Sequence, residues 1–385
     1  MTETNERYNV DTDTDTDTDT DTDTDTDTDA GLDAEVDVLV VGGGAAGLSA
    51  ALTLSRARRS VLVVDSGEPR NAPADGVHGF PSREGLAPGE LLRIGREEVA
   101  GYGGRIVSDL VTGVRRAGER FVVETVGGRS HRARRLLVTT GLIDELPDVP
   151  GLRERWGRDV LHCPYCHGWE VRDQPIGVLA TGPMATHQAL LFRQWSPDVT
   201  LFLHTTDELA DEQWEQLAAR GIAVVEGEVA GLDVEDDRLS GVRLASGRRV
   251  PVRALAVAPR FEARGAMLAG LGLRSVDHPM GVGSHVESDA TGFTGVAGVW
   301  AAGNVTDLVA GVVVSAASGM TSAVAINADL VAADTAAAVA ARRAPEAFGP
   351  AVEAANCQQV MGERRHGIES VLAAGEARNS ATGGW

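Results

Sequence analysis

Lysine is absent: all 35 basic residues of the 385-residue chain are arginine. An absence so complete reads as the codon bias of a GC-rich genome rather than as chemistry. Positive charge is short overall, with 56 acidic residues and a net charge of -21. Fourteen of those acids lie in residues 1–35 against Arg7 alone, so the rest of the chain is only mildly acidic. That balance argues against a binder of nucleic acid or of an anionic membrane surface. Cysteine is scarce as well. Three cysteines in a chain long enough for two or three domains exclude a small disulfide-stapled scaffold. In a reducing compartment, two cysteines close together point to catalysis or metal binding. No basic stretch followed by an apolar segment opens the chain, and the apolar run after Val296 is interrupted by Asn304, Asp307 and several glycines. The expectation is a cytoplasmic protein without a secretion signal or a membrane span.

Residues 11–29 alternate Asp and Thr with no apolar residue, a composition that cannot bury surface and is expected to be disordered. From Val36 onward, strand-like runs at Val36–Val41, Val61–Val64, Leu136–Thr139, Ile176–Ala180 and Val199–Leu203 alternate with helix-like segments. This is the pattern of an α/β architecture with parallel sheets. After about Asp334 the composition turns to Ala, Arg, Glu and Gly with Pro345 and Pro350, which predicts a loosely attached helical extension.

The first strand runs directly into Gly42-Gly43-Gly44-Ala45-Ala46-Gly47 and then into a helical segment. In that context Gly42 permits a tight turn, Gly44 lets the backbone approach a pyrophosphate, and Gly47 lets helix and strand pack closely. The helix N-terminus then faces the anion. The second strand ends at Asp65, whose carboxylate is placed to accept hydrogen bonds from a ribose diol.

His162-Cys163-Pro164-Tyr165-Cys166-His167-Gly168 admits several readings. Cys-x-x-Cys-His is the spelling of a c-type haem attachment site, which needs export. Zinc would need two further ligands from elsewhere, because Cys357 stands alone. An incidental buried pair is also open. A redox-active dithiol/disulfide fits the short loop, which closes at small cost and can hold one thiolate at low pKa.

Three features carry a resemblance over most of residues 36–335: the Gly42–Gly47 loop, the Cys163/Cys166 pair after Thr139-Thr140-Gly141, and Val299-Trp300-Ala301-Ala302-Gly303-Asn304-Val305. Together they resemble the thioredoxin reductase-like flavoproteins. The resemblance implies two Rossmann-like nucleotide-binding domains of the three-layer ββα type and FAD as cofactor. The implied divisions are a tail at 1–33, a discontinuous FAD-binding domain at 34–150 and 260–335, a central NAD(P)-binding-like domain with the cysteine pair at 151–259, and an extension at 336–385. It further implies that Gly42, Gly44, Ala46, Gly47, Asp65, Thr140, Gly141, Gly303 and Asn304 hold FAD. The family usually has Asp at the position of Asn304. Asn keeps a hydrogen bond to a ribityl hydroxyl without the charge. Cys163 is by the same resemblance the thiol that meets the substrate, and Cys166 the thiol near the flavin. Thioredoxin reductases carry an acid/base Asp after the second cysteine. His167 in its place is similar to the dithiol oxidases of gliotoxin and holomycin biosynthesis, and a neutral imidazole can take a proton from an incoming thiol near pH 7.

Ile176-Gly177-Val178-Leu179-Ala180-Thr181-Gly182-Pro183-Met184-Ala185 stands where thioredoxin reductases carry a second glycine loop. Its first glycine has become Ala180, and Asp207 and Glu208 stand where arginines would hold an NADPH 2′-phosphate. The reading is a FAD-dependent oxidase that closes a disulfide in a small-molecule or peptide dithiol, with dioxygen as acceptor and a homodimer as the expected assembly. An NAD(P)H-dependent disulfide reductase, and a flavin- or zinc-binding regulator, are the alternatives.

Overall fold

The computed structural model describes residues 35–206, 208–343 and 349–361. The Asp-Thr repeat, Asp207 and the chain after Met361 lie outside the described residues. β1 (Val36–Val41) is an unbroken apolar run, as a strand covered on both faces requires. It leads through the glycine turn into α1 (Ala45–Arg56) and back to β2 (Val61–Asp65), which lies parallel to β1. A long connection, residues 66–87, separates β2 from α2 (Pro88–Gly101). β3 (Arg105–Ser108), β4 (Val111–Ala117), β5 (Arg120–Thr125), β6 (Ser130–Val138) and β7 (Leu142–Glu145) follow.

Next come α3 (Leu152–Arg155), β8 (Val160–Leu161), α4 (Pro164–His167), β9 (Ile176–Leu179), α5 (Ala185–Phe192), β10 (Val199–Phe202), α6 (Asp211–Ala219) and β11 (Ala223–Val225). β12 (Val229–Glu235), β13 (Arg238–Leu244) and β14 (Arg249–Val250) form an antiparallel sheet, and β15 (Ala254–Val257) returns to the centre of the parallel one. The chain closes with β16 (Arg260–Ala263), β17 (Val276–Asp277), β18 (Gly283–His285), β19 (Val299–Ala301), α7 (Val312–Arg343) and α8 (Pro350–Met361).

Two larger sheets organise the molecule, as the α/β reading expects. The first has the order β3-β2-β1-β6-β5-β4, with β19 also on β6. β6 is long enough to serve two partners: its Ser130–Ala133 stretch pairs antiparallel with β5, and Leu136–Val138 pairs parallel with β19. The second sheet, β11-β10-β9-β15-β8, is parallel throughout. β7 and β16 pair antiparallel between them, with Asp144 opposite Phe261.

Leu39, Leu62, Leu136 and Phe121 fill one face of the first sheet, while Val38, Val40 and Leu137 meet α1 and α7 on the other. Small residues let those two helices touch. A Cβ at Gly319 would lie 2.0 Å from the Ala46 carbonyl oxygen, so α7 seats directly on the first turn of α1. By length and apolar composition alone α7 could cross a membrane, which the sequence reading did not anticipate. Here Ser315, Gly319, Ala323, Ile326 and Leu330 are buried in the fold. Asp334 pairs with Arg59 at 2.8 Å and with Arg134, and Asp329 pairs with Arg135. The extension expected from residue 336 therefore begins inside a continuous helix, which the arginines hold at Asp329 and Asp334 and whose last residues, 336–343, are exposed.

Candidate active site

Gly42 takes φ +103°, a backbone that favours glycine, and a Cβ there would lie 2.6 Å from the Thr139 carbonyl oxygen. At Gly47 a Cβ would come within 1.9 Å of the Gly42 oxygen, so this glycine lets α1 close onto the strand. Gly44 is different. Its backbone is extended (φ -77°, ψ -171°), and a Cβ would meet nothing within 4 Å. The space beside it is a cavity of about 930 Å³, bounded also by Ala46. The unpaired N–H groups of the first turn of α1 open toward that cavity, and no acid in that turn opposes an anion.

Asp65 is placed at this loop, although with more partners than the sequence indicated. Its Oδ1 accepts the Gly43 N–H at 2.8 Å and its Oδ2 accepts from Arg96 at 3.0 Å. Each carboxylate oxygen keeps a second acceptor site, so a ribose diol still fits. Thr139, not Thr140, ties the glycine turn: its hydroxyl donates to the Gly42 oxygen at 2.8 Å. The Thr140 hydroxyl is spent on the Arg264 oxygen at 2.7 Å, leaving its backbone and Gly141 as the parts that line the cavity. Gly303 (φ +78°) and Asn304 complete the wall. Both amide hydrogens of Asn304 are used, on the carbonyl oxygens of Asp307 and Ala310, each at 2.9 Å. An Asp here would face two backbone carbonyls without a proton to offer, which accounts for Asn in this chain. Its Oδ1 remains as an acceptor for a ribityl hydroxyl.

Cys163, Cys166 and His167 border the same cavity as Gly44. Both cysteines are free thiols. Cys163 sits at the N-cap of α4, and Pro164 at the first helical position sets the turn. The Cys166 thiol and the backbone N–H groups of Cys166 and Tyr165, helped by the Arg70 guanidinium, hold Cys163 down to about 7 against the burial that pushes it up. The same contact with Cys163, together with burial, pushes Cys166 well up. The pair is thus polarised, with Cys163 the more acidic thiol. Both ring nitrogens of His167 are buried without a hydrogen-bond partner. His162 is structural, its Nδ1–H donating to the Val257 oxygen at 3.2 Å and its ring standing edge-on to Phe261.

Burial pushes both histidines below the ordinary value of 6.5. Below 6.5 the unfolded chain binds protons that the folded chain refuses. Their contribution is therefore complete above that pH and is lost as pH falls through the folded values. Melting temperature is expected to drop between about pH 7 and about pH 5, and His167→Gln to flatten part of that drop. Thermal melts across this range that coincide for the two chains would refute the assignment.

In the second sheet, Ala180 is fully buried at the end of β9, and Gly182 opens the turn before α5. Met184, His187 and Gln188 of that turn and helix border the cysteine cavity. His204 occupies a left-handed turn after β10, and Glu208 is exposed beyond it. Sequence reasoning missed Arg70, Arg96, Thr139 and Gln188. Only Thr139 had a visible signal, as the neighbour of the residue chosen.

A glycine cradle under a helix N-terminus, sharing one cavity with a polarised dithiol, defines a flavoprotein-type disulfide oxidoreductase of the two-nucleotide-domain class. The chain belongs to the pyridine nucleotide-disulphide oxidoreductase family, whose model matches residues 36–326. Its cofactor is FAD. The solved structure of HlmI is 51% identical, with a TM-score of 0.76 over 80% of this chain and 96% of that one. "Thioredoxin reductase sirT" of Leptosphaeria maculans is 30% identical over 78% of this chain and 95% of its own length. "Thioredoxin reductase tcpT" of Claviceps purpurea is 37% identical over 183 residues, 45% of this chain. The match spans 57% of tcpT, so over that relative the likeness covers about half its length.

Proposed function

We propose that this thioredoxin reductase-like oxidoreductase runs as an oxidase, closing the disulfide of a small-molecule or peptide dithiol with dioxygen as final acceptor. The observation that carries the reading is the polarised Cys163/Cys166 turn opening into the cavity that Gly44 borders. Electron direction is argued from the second sheet, where Ala180 replaces a glycine of the phosphate turn and Glu208 would repel a 2′-phosphate.

The cycle begins with Cys163 and Cys166 joined as a disulfide. His167, neutral near pH 7, takes the proton of one substrate thiol. The resulting thiolate attacks Cys163 Sγ; the Cys163–Cys166 bond breaks and Cys166 leaves as the thiolate. The second substrate thiol gives its proton to the Cys166 thiolate and attacks the substrate sulfur of the mixed disulfide, releasing the Cys163 thiolate and the product disulfide. Two electrons have then passed to the cysteine pair, with one proton on Cys166 and one on His167. FAD held in the same cavity would supply a two-electron acceptor, with dioxygen as the proposed final acceptor, reduced to hydrogen peroxide. Gly42, Gly44, Ala46, Gly47, Asp65, Gly141, Gly303 and Asn304 are the residues proposed to hold FAD, with Thr139 bracing the turn. A homodimer is the proposed assembly, and the exposed Met320, Val324 and Val331 of α7 support it.

The relatives' printed names favour a second reading, reduction of a disulfide by NAD(P)H. Anaerobic flavin spectra separate the two. A dithiol such as dithiothreitol is expected to bleach the flavin rapidly, and millimolar NADPH or NADH far more slowly. Fast, saturable bleaching by NADPH would reverse the proposed direction.

A further inference from the structure

The long connection at residues 66–87 does more than join β2 to α2. Arg70 donates from Nε and Nη2 to the two oxygens of Asp144, each at 2.7 Å, and its guanidinium lies over the Phe261 ring at 5.3 Å. Asp144 and Phe261 are register partners on β7 and β16, so one arginine spans both strands. Phe261 in turn meets the ring of His162 edge-on at 5.2 Å, and Cys163 is the next residue. Asp144 has an 8% exposed side chain, and Arg70 borders the cavity with Cys163. Elsewhere the connection touches the same segment twice. His78 lies 3.6 Å from Glu170, and a Cβ at Gly157 would come within 2.8 Å of Pro73.

We propose that Arg70 is the positioning residue of the dithiol. Its guanidinium, oriented by the Asp144 fork, supplies positive charge to the Cys163 thiolate, and through Phe261 and His162 it holds the redox turn against β7 and β16. This rests on the reading of Cys163 as the attacking thiol. The groups around that thiol leave the charge role to an arginine. His162 and His167 are uncharged by burial, His78 faces Glu84 and Glu170, and Asp144 is held by Arg70 itself. An arginine stays charged at every working pH and keeps its fork geometry.

The test uses the FAD-loaded full chain with Cys166→Ser and Cys357→Ser, leaving Cys163 as its single thiol; the serine hydroxyl keeps a donor beside it. The pH midpoint of Cys163 alkylation by iodoacetamide is read by mass spectrometry. Arg70→Gln is expected to raise that midpoint by about half a unit or more, and Arg70→Lys to restore part of it. Asp144→Asn, which removes the opposing charge but keeps a carbonyl oxygen to accept from Arg70, is expected to leave the midpoint in place or lower it. General disruption of the turn would move both in the same direction. Midpoints that agree in the Arg70→Gln and parent chains, or that rise equally in the Asp144→Asn chain, would overturn the proposal. No dithiol turnover enters the measurement, so a failure of the oxidase reading leaves its result unchanged.

Discussion

Cys163→Ser and Cys166→Ser are each expected to abolish dithiol-driven hydrogen peroxide formation while the purified proteins stay yellow. The two residues border the cavity from α4 and its N-cap, whereas the glycine turn, Asp65 and Thr139 that shape the cradle come from the first sheet. Removing a sulfur leaves those supports untouched. The two variants should nevertheless differ. Without Cys166, Cys163 keeps its N–H donors and its thiolate can still attack an added disulfide, forming a mixed disulfide and releasing the other sulfur as a thiolate. Without Cys163, the remaining thiol loses that neighbour's push but is still raised by burial and lacks the N–H donors that hold Cys163 down. Mass spectrometry after a dithiol disulfide is added should therefore find an adduct on the Cys166→Ser chain and little on the Cys163→Ser chain. Peroxide formation at the parent rate in either variant would remove the relay from the mechanism.

Gly44→Val and Gly47→Ala should fail in opposite ways. At Gly44 the backbone is already extended and a Cβ meets no protein atom, so valine is compatible with the fold but occupies the space in front of the α1 N-terminus. The expected protein is colourless, with an unchanged melting temperature relative to the parent stripped of FAD. At Gly47 even one methyl group falls 1.9 Å from the Gly42 oxygen, so the backbone itself must move. Overpacking of this kind typically costs about 1–3 kcal/mol, and here it strikes backbone rather than a side chain that could turn aside. Gly47→Ala should therefore lose both cofactor and stability. FAD content and absorbance at saturation, set beside melts of the apo-proteins, check both outcomes. A yellow Gly44→Val chain would show that the cradle lies elsewhere.

What could be read from the sequence was whatever is local. Val36–Val41 followed by the glycine turn announced a strand, a turn and a helix because each feature adjoins the next. Cys163 and Cys166 announced themselves by spacing. Partners brought in by the fold carried no such mark. Arg70 and Asp144 are 74 residues apart, and Arg96 reaches Asp65 across 31. β4 and β5 were not foreseen because neither shows a clean apolar alternation: β4 buries only Val111 and Val114, and β5 runs Phe121, Val122 and Val123 together. Asn304 was legible as a departure from the family pattern. Its reason, two backbone carbonyls waiting for amide hydrogens, appears only once residues 307 and 310 curl back over it.

The sharing of β6 between β5 and β19 also sets an order of assembly. All strands of the second sheet lie between Val160 and Val257, so its pairings are available early during synthesis. Six strands of the first sheet, β1 to β6, come earlier still, but β19 (Val299–Ala301) arrives last, and α1 gains its cover only when Gly319 has left the ribosome. Non-local pairing of this kind is slow, because the loop must be closed before the contacts reward it. A nascent chain thus carries Cys163 and Cys166 before Gly303 and Asn304 complete the wall of the cavity they share, and a ribosome stalled short of β19 would hold the thiol pair beside an unfinished cradle.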